Sequence, residues 1–103
     1  MIGKAKLLKV YVGEKERFAS KPLYQYLVRW LQEQGILGVT VFRGIEGYGK
    51  DRVLHSARLL ELSSDLPIIL EIVDTEKRIN SIAAEVSKMV PKGLVYTIDI
   101  DIH

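Results

Sequence analysis

Two hydrophobic periodicities alternate along the chain. Segments that are rich in β-branched residues, or that alternate between apolar and polar positions, are typical of strands. They lie at residues 4–12, 38–43, 66–73 and 94–102. Residues 20–35 and 74–90 instead carry apolar side chains at three- and four-residue spacing, which predicts two amphipathic helices. The segment 66–73 is apolar at nearly every position, so we expect it in the centre of its sheet.

Start and stop signals bound both helices. Ser20 is expected to cap the first helix, with Pro22 in the first turn, where a missing N–H group costs nothing. Gly35 follows the last turn and is expected to take the left-handed conformation that ends many helices. Asp74 or Thr75 is expected to cap the second helix, and a proline and a glycine follow its last turn.

The order of elements is strand–helix–strand, a connection, and strand–helix–strand again. This order predicts an α+β fold: a ferredoxin-like βαββαβ sandwich, with a four-stranded antiparallel sheet and two helices on one face. A chain of 103 residues has room for one core, so we expect residues 1–103 to form a single domain. Within the connection, residues 53–62 carry only a weak helical period.

Composition narrows the function classes. The chain is 48% hydrophobic, has a formal net charge of +2 and contains no cysteine. These values argue against a disordered chain, a general nucleic-acid binder, disulfides, iron–sulfur clusters and cysteine-ligated zinc. No apolar run approaches the ~20 residues of a membrane span. We see no signal peptide and expect a cytoplasmic protein without membrane insertion. Lys and Glu far outnumber Gln and Asn, which is a thermophile-like bias.

Residues able to perform chemistry are scarce. His55 and His103 have no metal-ligand spacing around them. Asp99 and Asp101 project from one face of the last strand. They are either a cation-binding pair or a charged face that prevents edge-to-edge pairing, and the second interpretation is favoured. No serine lies in a G-x-S-x-G turn. We therefore expect a protein that is not an enzyme, with no catalytic residue and no metal site.

A glycine-rich turn follows the second strand and lies within a cluster of basic residues. The residues are Gly44, Gly47 and Gly49, with Arg43 before them and Lys50, Arg52 and Arg58 after them. Glycine permits positive φ and lets backbone N–H groups approach an anion closely. Two interpretations stay open here: an anion-binding site, and a wide hairpin connection with solvated charges.

Several motifs resemble those of known proteins. GVTV at 38–41 and GYG at 47–49, followed by 70–73 and 96–100, resemble the PII signal-transduction proteins in order and spacing. A closer resemblance, over roughly residues 4–102, is to a PII-like family called domain of unknown function 190. It rests on residues 6–14, 21–24, 38–49, 55, 62–67, 73–74 and 93–95.

The resemblance implies a ferredoxin-like subunit assembled as a homotrimer, with adenine nucleotides as regulatory ligands in clefts between subunits. It also implies a mobile loop at residues 50–65 that docks on a membrane transporter or an enzyme. Matched by motif, Thr40 would lie near the base. Gly47 and Gly49 would lie near the phosphates, with Lys50 at the root of the loop.

The chain departs from PII proteins at two phosphate-binding lysines, because Ile69 and Leu94 stand at their positions. Nearby basic residues are expected to supply replacement charge. We therefore expect a non-enzymatic, trimeric PII-like regulatory protein that binds a nucleotide or another small anion and holds no resident cofactor. The expected ligand-binding residues are Thr40, Arg43, Gly44, Gly47, Gly49, Lys50, Arg52 and Lys92.

A second hypothesis is a trimeric metal-related protein, similar to the divalent-cation-tolerance family, which has the same fold. Its ligands would come from His55, His103, Glu46, Asp99 and Asp101. These residues are scattered along the chain, and that scatter disfavours a metal site.

Overall fold

The computed structural model describes residues 1–58 and 65–103. The strands are β1 (Gly3–Gly13), β2 (Arg17–Phe18), β3 (Lys21–Pro22), β4 (Gly38–Arg43), β5 (Glu46–Gly47), β6 (His55–Ser56), β7 (Pro67–Asp74) and β8 (Leu94–Ile102). The helices are α1 (Leu23–Glu33) and α2 (Glu76–Met89). β4 and β8 have the predicted bounds, and β1 and β7 differ from theirs by one residue at each end.

The four long strands form one sheet in the order β4-β7-β1-β8, and every neighbouring pair is antiparallel. Leu8 of β1 pairs with Ile72 of β7 on one side and with Thr97 of β8 on the other. The apolar strand β7 is an inner strand, as its sequence predicted. With two helices on one face, the predicted ferredoxin-like class is confirmed.

The core lies between that face of the sheet and the helices. Because side chains alternate along a strand, every second residue of β1 and β7 points into it. The core cluster consists of Leu8, Val10, Val12, Ile68, Leu70 and Ile72 from the sheet, and Leu23, Leu27, Leu31, Ile79, Ile82, Val86 and Val90 from the helical layer. Trp30 and Ala83 pack against them, so the predicted helical stripes are confirmed.

The predicted start of α1 is wrong, and its predicted end is correct. Ala19 and Ser20 have φ of 50° and 66° and form the two-residue turn between β2 and β3. Ser20 therefore lies in a hairpin, and α1 begins after Pro22 without a side-chain cap. Gly35 has φ of 74°, and Ile36 donates its backbone N–H to the Leu31 carbonyl (3.2 Å), closing the left-handed cap.

One end of the sheet is joined by a buried carboxylate. Asp74, the last residue of β7, accepts hydrogen bonds from the backbone N–H of Leu37 (3.1 Å) and Thr75 (2.6 Å) and from Nε of Arg78 (3.0 Å). Arg78 also donates to the Gln34 carbonyl at 3.0 Å. These bonds connect the C-terminus of α1, the start of β4 and the first turn of α2. We call this the Asp74 end, and the opposite end the loop end.

The same residues confirm the predicted cap of α2. They also keep the carboxylate of Asp74 ionised. The Thr75 hydroxyl accepts a hydrogen bond from the backbone N–H of Arg78 (3.3 Å). Burial by itself raises the pKa of Asp74. The hydrogen bonds from Thr75, Leu37 and Arg78 outweigh it, so the pKa of Asp74 lies below its ordinary value. The carboxylate stays ionised and fully paired.

The connection between β4 and β7 is not helical where the structure describes it. Residues 53–58 contain β6, which pairs with β5, so a helix over this part of 53–62 is wrong; residues 59–62 lie outside the described ranges. Pairing with β5 holds this stretch extended instead. Across the described residues, neither helix has the length and apolar character needed to cross a membrane.

Candidate functional site

A small hairpin forms the root of the connection at the loop end. Glu46 pairs with Ser56, and Gly47 pairs with His55. The backbone N–H of Gly44 donates to the Pro67 carbonyl (2.7 Å), which ties this hairpin to the start of β7. We call residues 43–58 the loop root.

The three glycines of the loop root do not take the left-handed conformation that glycine permits. Gly44, Gly47 and Gly49 all have negative φ, so none of them uses the left-handed freedom of glycine. A Cβ at Gly44 would lie 2.6 Å from Cγ of Pro67, and close packing explains that glycine. No atom within 4 Å would meet a Cβ at Gly49, so space near it is open.

Two of the four basic residues in this cluster already form ion pairs. Arg43 binds the carboxylate of Glu14 (Nε to Oε2, 3.0 Å), and Arg58 binds that of Glu46 (3.2 Å). A hydrogen bond with Ser56, together with the guanidinium of Arg58, holds the pKa of Glu46 below its usual value.

The other two cations point to solvent. Lys50 and Arg52 are exposed, and neither side chain makes a hydrogen bond or ion pair within the described ranges. Arg52 takes a φ of 59°, in a turn where its N–H donates to the Gly49 carbonyl (3.0 Å). The charge available to an anion at the loop root therefore comes from these two side chains.

His55 has a structural role. Its Nδ1 accepts a hydrogen bond from the backbone N–H of Asp65 (3.0 Å), and Oδ1 of Asp65 accepts one from the N–H of Lys15 (2.6 Å). Asp99 instead pairs with Lys6 (3.5 Å). In the part of the chain that the structure describes, no three His, Asp or Glu side chains come together to hold a metal ion. The metal hypothesis therefore gains no support.

The sheet face away from the helices carries three transverse rows of side chains, which the strand register defines. The row nearest the loop end is Phe42, Ile69, Tyr11 and Leu94; the middle row is Thr40, Glu71, Lys9 and Tyr96; the third row is Gly38, Val73, Leu7 and Ile98. We call this surface the open face. Phe42, Leu94 and Ile98 remain 44–54% exposed on it, so two apolar rows flank a polar one.

The middle row and Tyr11 of the neighbouring row form an electrostatic unit. Lys9 pairs with Glu71 (3.6 Å), and the hydroxyls of Tyr11 and Tyr96 lie 3.1 Å apart. That shared hydrogen bond lowers the pKa of Tyr11 and raises the pKa of Tyr96. Burial lowers the pKa of Lys9, but the two tyrosines and Glu71 outweigh it, so the pKa of Lys9 lies above its usual value. Lys9 therefore keeps its charge in the middle of an apolar surface.

The expected ligand residues are spread over three surfaces. Arg43, Gly44, Gly47, Gly49, Lys50 and Arg52 belong to the loop root. Thr40 belongs to the open face. Because Arg43 is an odd number of residues away on the same strand, it points to the opposite face of β4.

Lys92 lines a pocket of about 490 Å³ on the helix side of the loop end. Its lining residues are Lys15, Glu16, Arg17, Phe18, Leu23, Asp65, Lys88, Met89, Pro91 and Lys92. Sequence reasoning missed this pocket because three stretches that are distant in sequence build it: residues 15–23, Asp65, and residues 88–92. Nothing local in the sequence indicates that they meet.

Comparisons with known proteins agree with this fold. A family model described as "Uncharacterized ACR", domain of unknown function 190, matches residues 5–102. A UPF0166 protein of Aquifex aeolicus is 39% identical over 99 residues, which cover 96% of this chain and 93% of that protein. A UPF0166 protein of Methanocaldococcus jannaschii is 35% identical over 101 residues, which cover 97% and 93%.

The solved structures that resemble this one include CPII, a nitrogen regulatory PII-like protein from Thiomonas intermedia bound to ADP, AMP and bicarbonate. It superposes with a TM-score of 0.74 over 99% of this chain and 91% of its own, at 15% sequence identity. A second structure of the same protein gives a TM-score of 0.71. At this identity the likeness shows a shared fold. The family model and the relatives confirm the resemblance to domain of unknown function 190 that the motifs indicated, and the chain belongs to that family.

Proposed function

We propose that the protein is a non-enzymatic PII-like regulator that binds an adenine nucleotide or a related small anion at the loop root. The observation that carries this proposal is the pair Lys50 and Arg52, two exposed cations without a partner among the described residues, beside the open space at Gly49. Cations on a short turn can neutralise phosphate while exposed backbone N–H groups add hydrogen bonds. The structural likeness to CPII, which binds ADP and AMP, supports the same ligand class.

The absence of the two PII lysines affects how many phosphates we expect the bound nucleotide to carry. Ile69 and Leu94 flank Tyr11 in the same row of the open face, so the positions of the PII lysines form an apolar row here. Fewer cations neutralise less negative charge. We expect AMP and ADP to bind more tightly than ATP.

A homotrimer would complete the site. The open face exposes two apolar rows, and burying such a surface against copies of the chain is favourable. Within the described residues, the outer strands β4 and β8 each pair on one side only, and such edges favour further pairing. A heterologous contact between two different edges closes into a ring when its rotation allows. The polar middle row would then fix the register between subunits.

The regulatory output would come from the connection. The β5–β6 hairpin is held by few contacts and by the exposed Arg58–Glu46 pair. A ligand at the loop root would bias this segment toward one arrangement, since it can shift an equilibrium only by binding one state better. A transporter, channel or enzyme partner would recognise that arrangement.

Binding to charge variants tests the proposal. Light scattering establishes the oligomeric state, and calorimetric titration with AMP, ADP, ATP and bicarbonate measures affinity. Replacing both Lys50 and Arg52 by Gln removes two charge-assisted contacts, and we expect nucleotide binding to weaken at least about tenfold. Lys77→Gln, an exposed charge change on α2, is the matched control and should bind as the wild type does.

Amide exchange gives a second measurement. Exchange in residues 50–58 should slow when AMP or ADP binds, because the ligand favours one arrangement of the loop root. A strictly monomeric protein, or nucleotide binding that leaves this exchange unchanged, would contradict the proposal.

A further inference from the structure

The pocket at the loop end combines apolar walls with a basic rim. Leu23, Met89 and Pro91 line it together with the ring of Phe18, and it is a half-open cleft of about 490 Å³. It lies beside α1 and α2, on the helix side of the sheet. The loop root and the open face contribute none of these walls.

The acidic residues of the pocket are already engaged. Oε1 of Glu16 accepts the backbone N–H of Gly13 (3.0 Å), and Oδ1 of Asp65 accepts that of Lys15 (2.6 Å). Carboxylates that accept backbone hydrogen bonds are held in place and partly neutralised. They therefore oppose an incoming anion less than a count of charges suggests.

Three of the four basic residues that line the pocket keep most of their donors. Lys92 makes no side-chain hydrogen bond or ion pair within residues 1–58 and 65–103. Arg17 donates from one guanidinium nitrogen to the Ser20 carbonyl (2.5 Å). Lys88 has only a long, exposed pair with Glu85 (3.7 Å) on its own helix. Three cationic groups thus remain able to turn toward the pocket.

Phe18 adds an aromatic surface. It packs against Tyr26 in a tilted arrangement with ring centroids 4.5 Å apart, and it is still 39% exposed. A ring held by one neighbour is a preorganised partner for a second ring, since aromatic pairs favour offset or edge contacts at such distances.

We propose that this pocket is a second ligand site, separate from the loop root, for a small aromatic organophosphate. The aromatic group of the ligand would lie against Phe18 and Met89, and its phosphate would bind Arg17 and Lys92. The proposal does not depend on nucleotide binding at Lys50 and Arg52, because no residue of that pair lines the pocket.

Chemical labelling of the wild-type protein locates the site. Pyridoxal 5′-phosphate is an aromatic phosphate whose aldehyde condenses with a nearby lysine amine, releasing water, and borohydride reduces the resulting imine to a stable amine. We expect peptide mapping to find label on Lys92 or Lys88 before other lysines, and phenyl phosphate to protect them. Label confined to Lys50, or spread evenly over exposed lysines such as Lys77, would overturn the proposal.

Titration with phenyl phosphate and inorganic phosphate tests both halves of the pocket. We expect phenyl phosphate to bind about tenfold more tightly than inorganic phosphate, because only it contacts the aromatic wall. Arg17→Gln and Lys92→Gln should each weaken phenyl phosphate about tenfold, while Lys77→Gln should have no effect. Equal affinity for the two phosphates, or unchanged binding in both pocket variants, would sink the proposal.

The two sites give distinguishable failures. The Lys50→Gln, Arg52→Gln double variant should bind phenyl phosphate as the wild type does, even if it no longer binds nucleotide. The pocket lysine and arginine are exposed, so their variants are expected to fold, and circular dichroism checks this. Loss of phenyl phosphate binding in the loop-root double variant alone would assign the ligand to the loop root and refute a second site.

Discussion

The ion pair at the Asp74 end of the sheet has a buried carboxylate, whereas the ion pairs at the loop end are exposed. Asp74 is fully buried and accepts three hydrogen bonds, one from Leu37 before β4 and two from Thr75 and Arg78 at the start of α2. At the loop end, the side chains of Arg43 and Glu14 remain 62% and 28% exposed. Breaking a buried charged network is costly, whereas an exposed ion pair contributes little. The fold is thus held at one end and left adjustable at the other.

This difference bears on where the two proposed ligand sites lie. The loop root and the pocket both belong to the loop end, where cations keep unused donors. At the Asp74 end, the guanidinium of Arg78 already donates hydrogen bonds to Asp74 and to the carbonyls of Gln34 and Gly35. Ligand-responsive segments come from the less stable parts of a protein.

The largest effect is expected at Asp74. Asp74→Ala leaves the Leu37 and Thr75 N–H groups and the Arg78 guanidinium without their shared acceptor, and should lower the free energy of unfolding by about 3 kcal/mol. Urea unfolding at fixed protein concentration measures it. Asp101→Ala, at an exposed position of β8, is the control and should change stability by less than about 0.5 kcal/mol. A small effect at Asp74 would mean that this end is no more firmly held than the other.

Gly93 tests whether the loop end also contains a rigid point. A Cβ there would overlap the Tyr11 carbonyl oxygen and lie 2.6 Å from Cγ1 of Val90, so backbone must move to accept it. We expect Gly93→Ala to destabilise the protein by about 2 kcal/mol. Gly49→Ala, where a Cβ meets nothing within 4 Å, should be nearly neutral in the same urea experiment. Equal effects at the two glycines would contradict this packing.

Acid should weaken the Asp74 end selectively. Because the pKa of Asp74 is depressed in the folded protein, its contribution to stability is present above its unfolded pKa of about 3.9 and is lost as the pH falls through its folded pKa. Urea midpoints measured from pH 7 to pH 2 should fall more steeply for the wild type than for Asp74→Asn. Parallel curves would show that Asp74 does not contribute to the acid sensitivity.

Local causes made most of the fold predictable. The cap at Thr75, the left-handed Gly35 and the bounds of β4 and β8 depend on neighbours within a few positions, and the sequence displays them directly. Ser20 was misjudged for a reason that is also local. Two positive φ values at a two-residue turn satisfy hairpin geometry, and the pairing of β2 with β3 outweighed the capping preference of serine.

The candidate site was less predictable because its determinants are distant in sequence. Arg43 binds Glu14, which is 29 residues away in sequence. This ion pair reduces the positive charge that the basic cluster offers to an anion. The pocket joins the turn after β1 to the end of α2, and neither segment carries a motif. Periodicity and spacing describe contacts within an element, whereas both of these depend on the order of strands at one end of the sheet.

The smallest effect is expected at the ion pair between Glu14 and Arg43. Both side chains are partly exposed, so their coupling in a double-mutant cycle of Glu14→Gln and Arg43→Gln should be below about 0.5 kcal/mol at low salt. In about 1 M salt the coupling should vanish, because the Debye length falls to about 3 Å. Urea unfolding of the four proteins measures it. A coupling above about 2 kcal/mol that persists in salt would show that the loop end is held as firmly as the Asp74 end. A ligand there would then have no second arrangement of the loop root to favour.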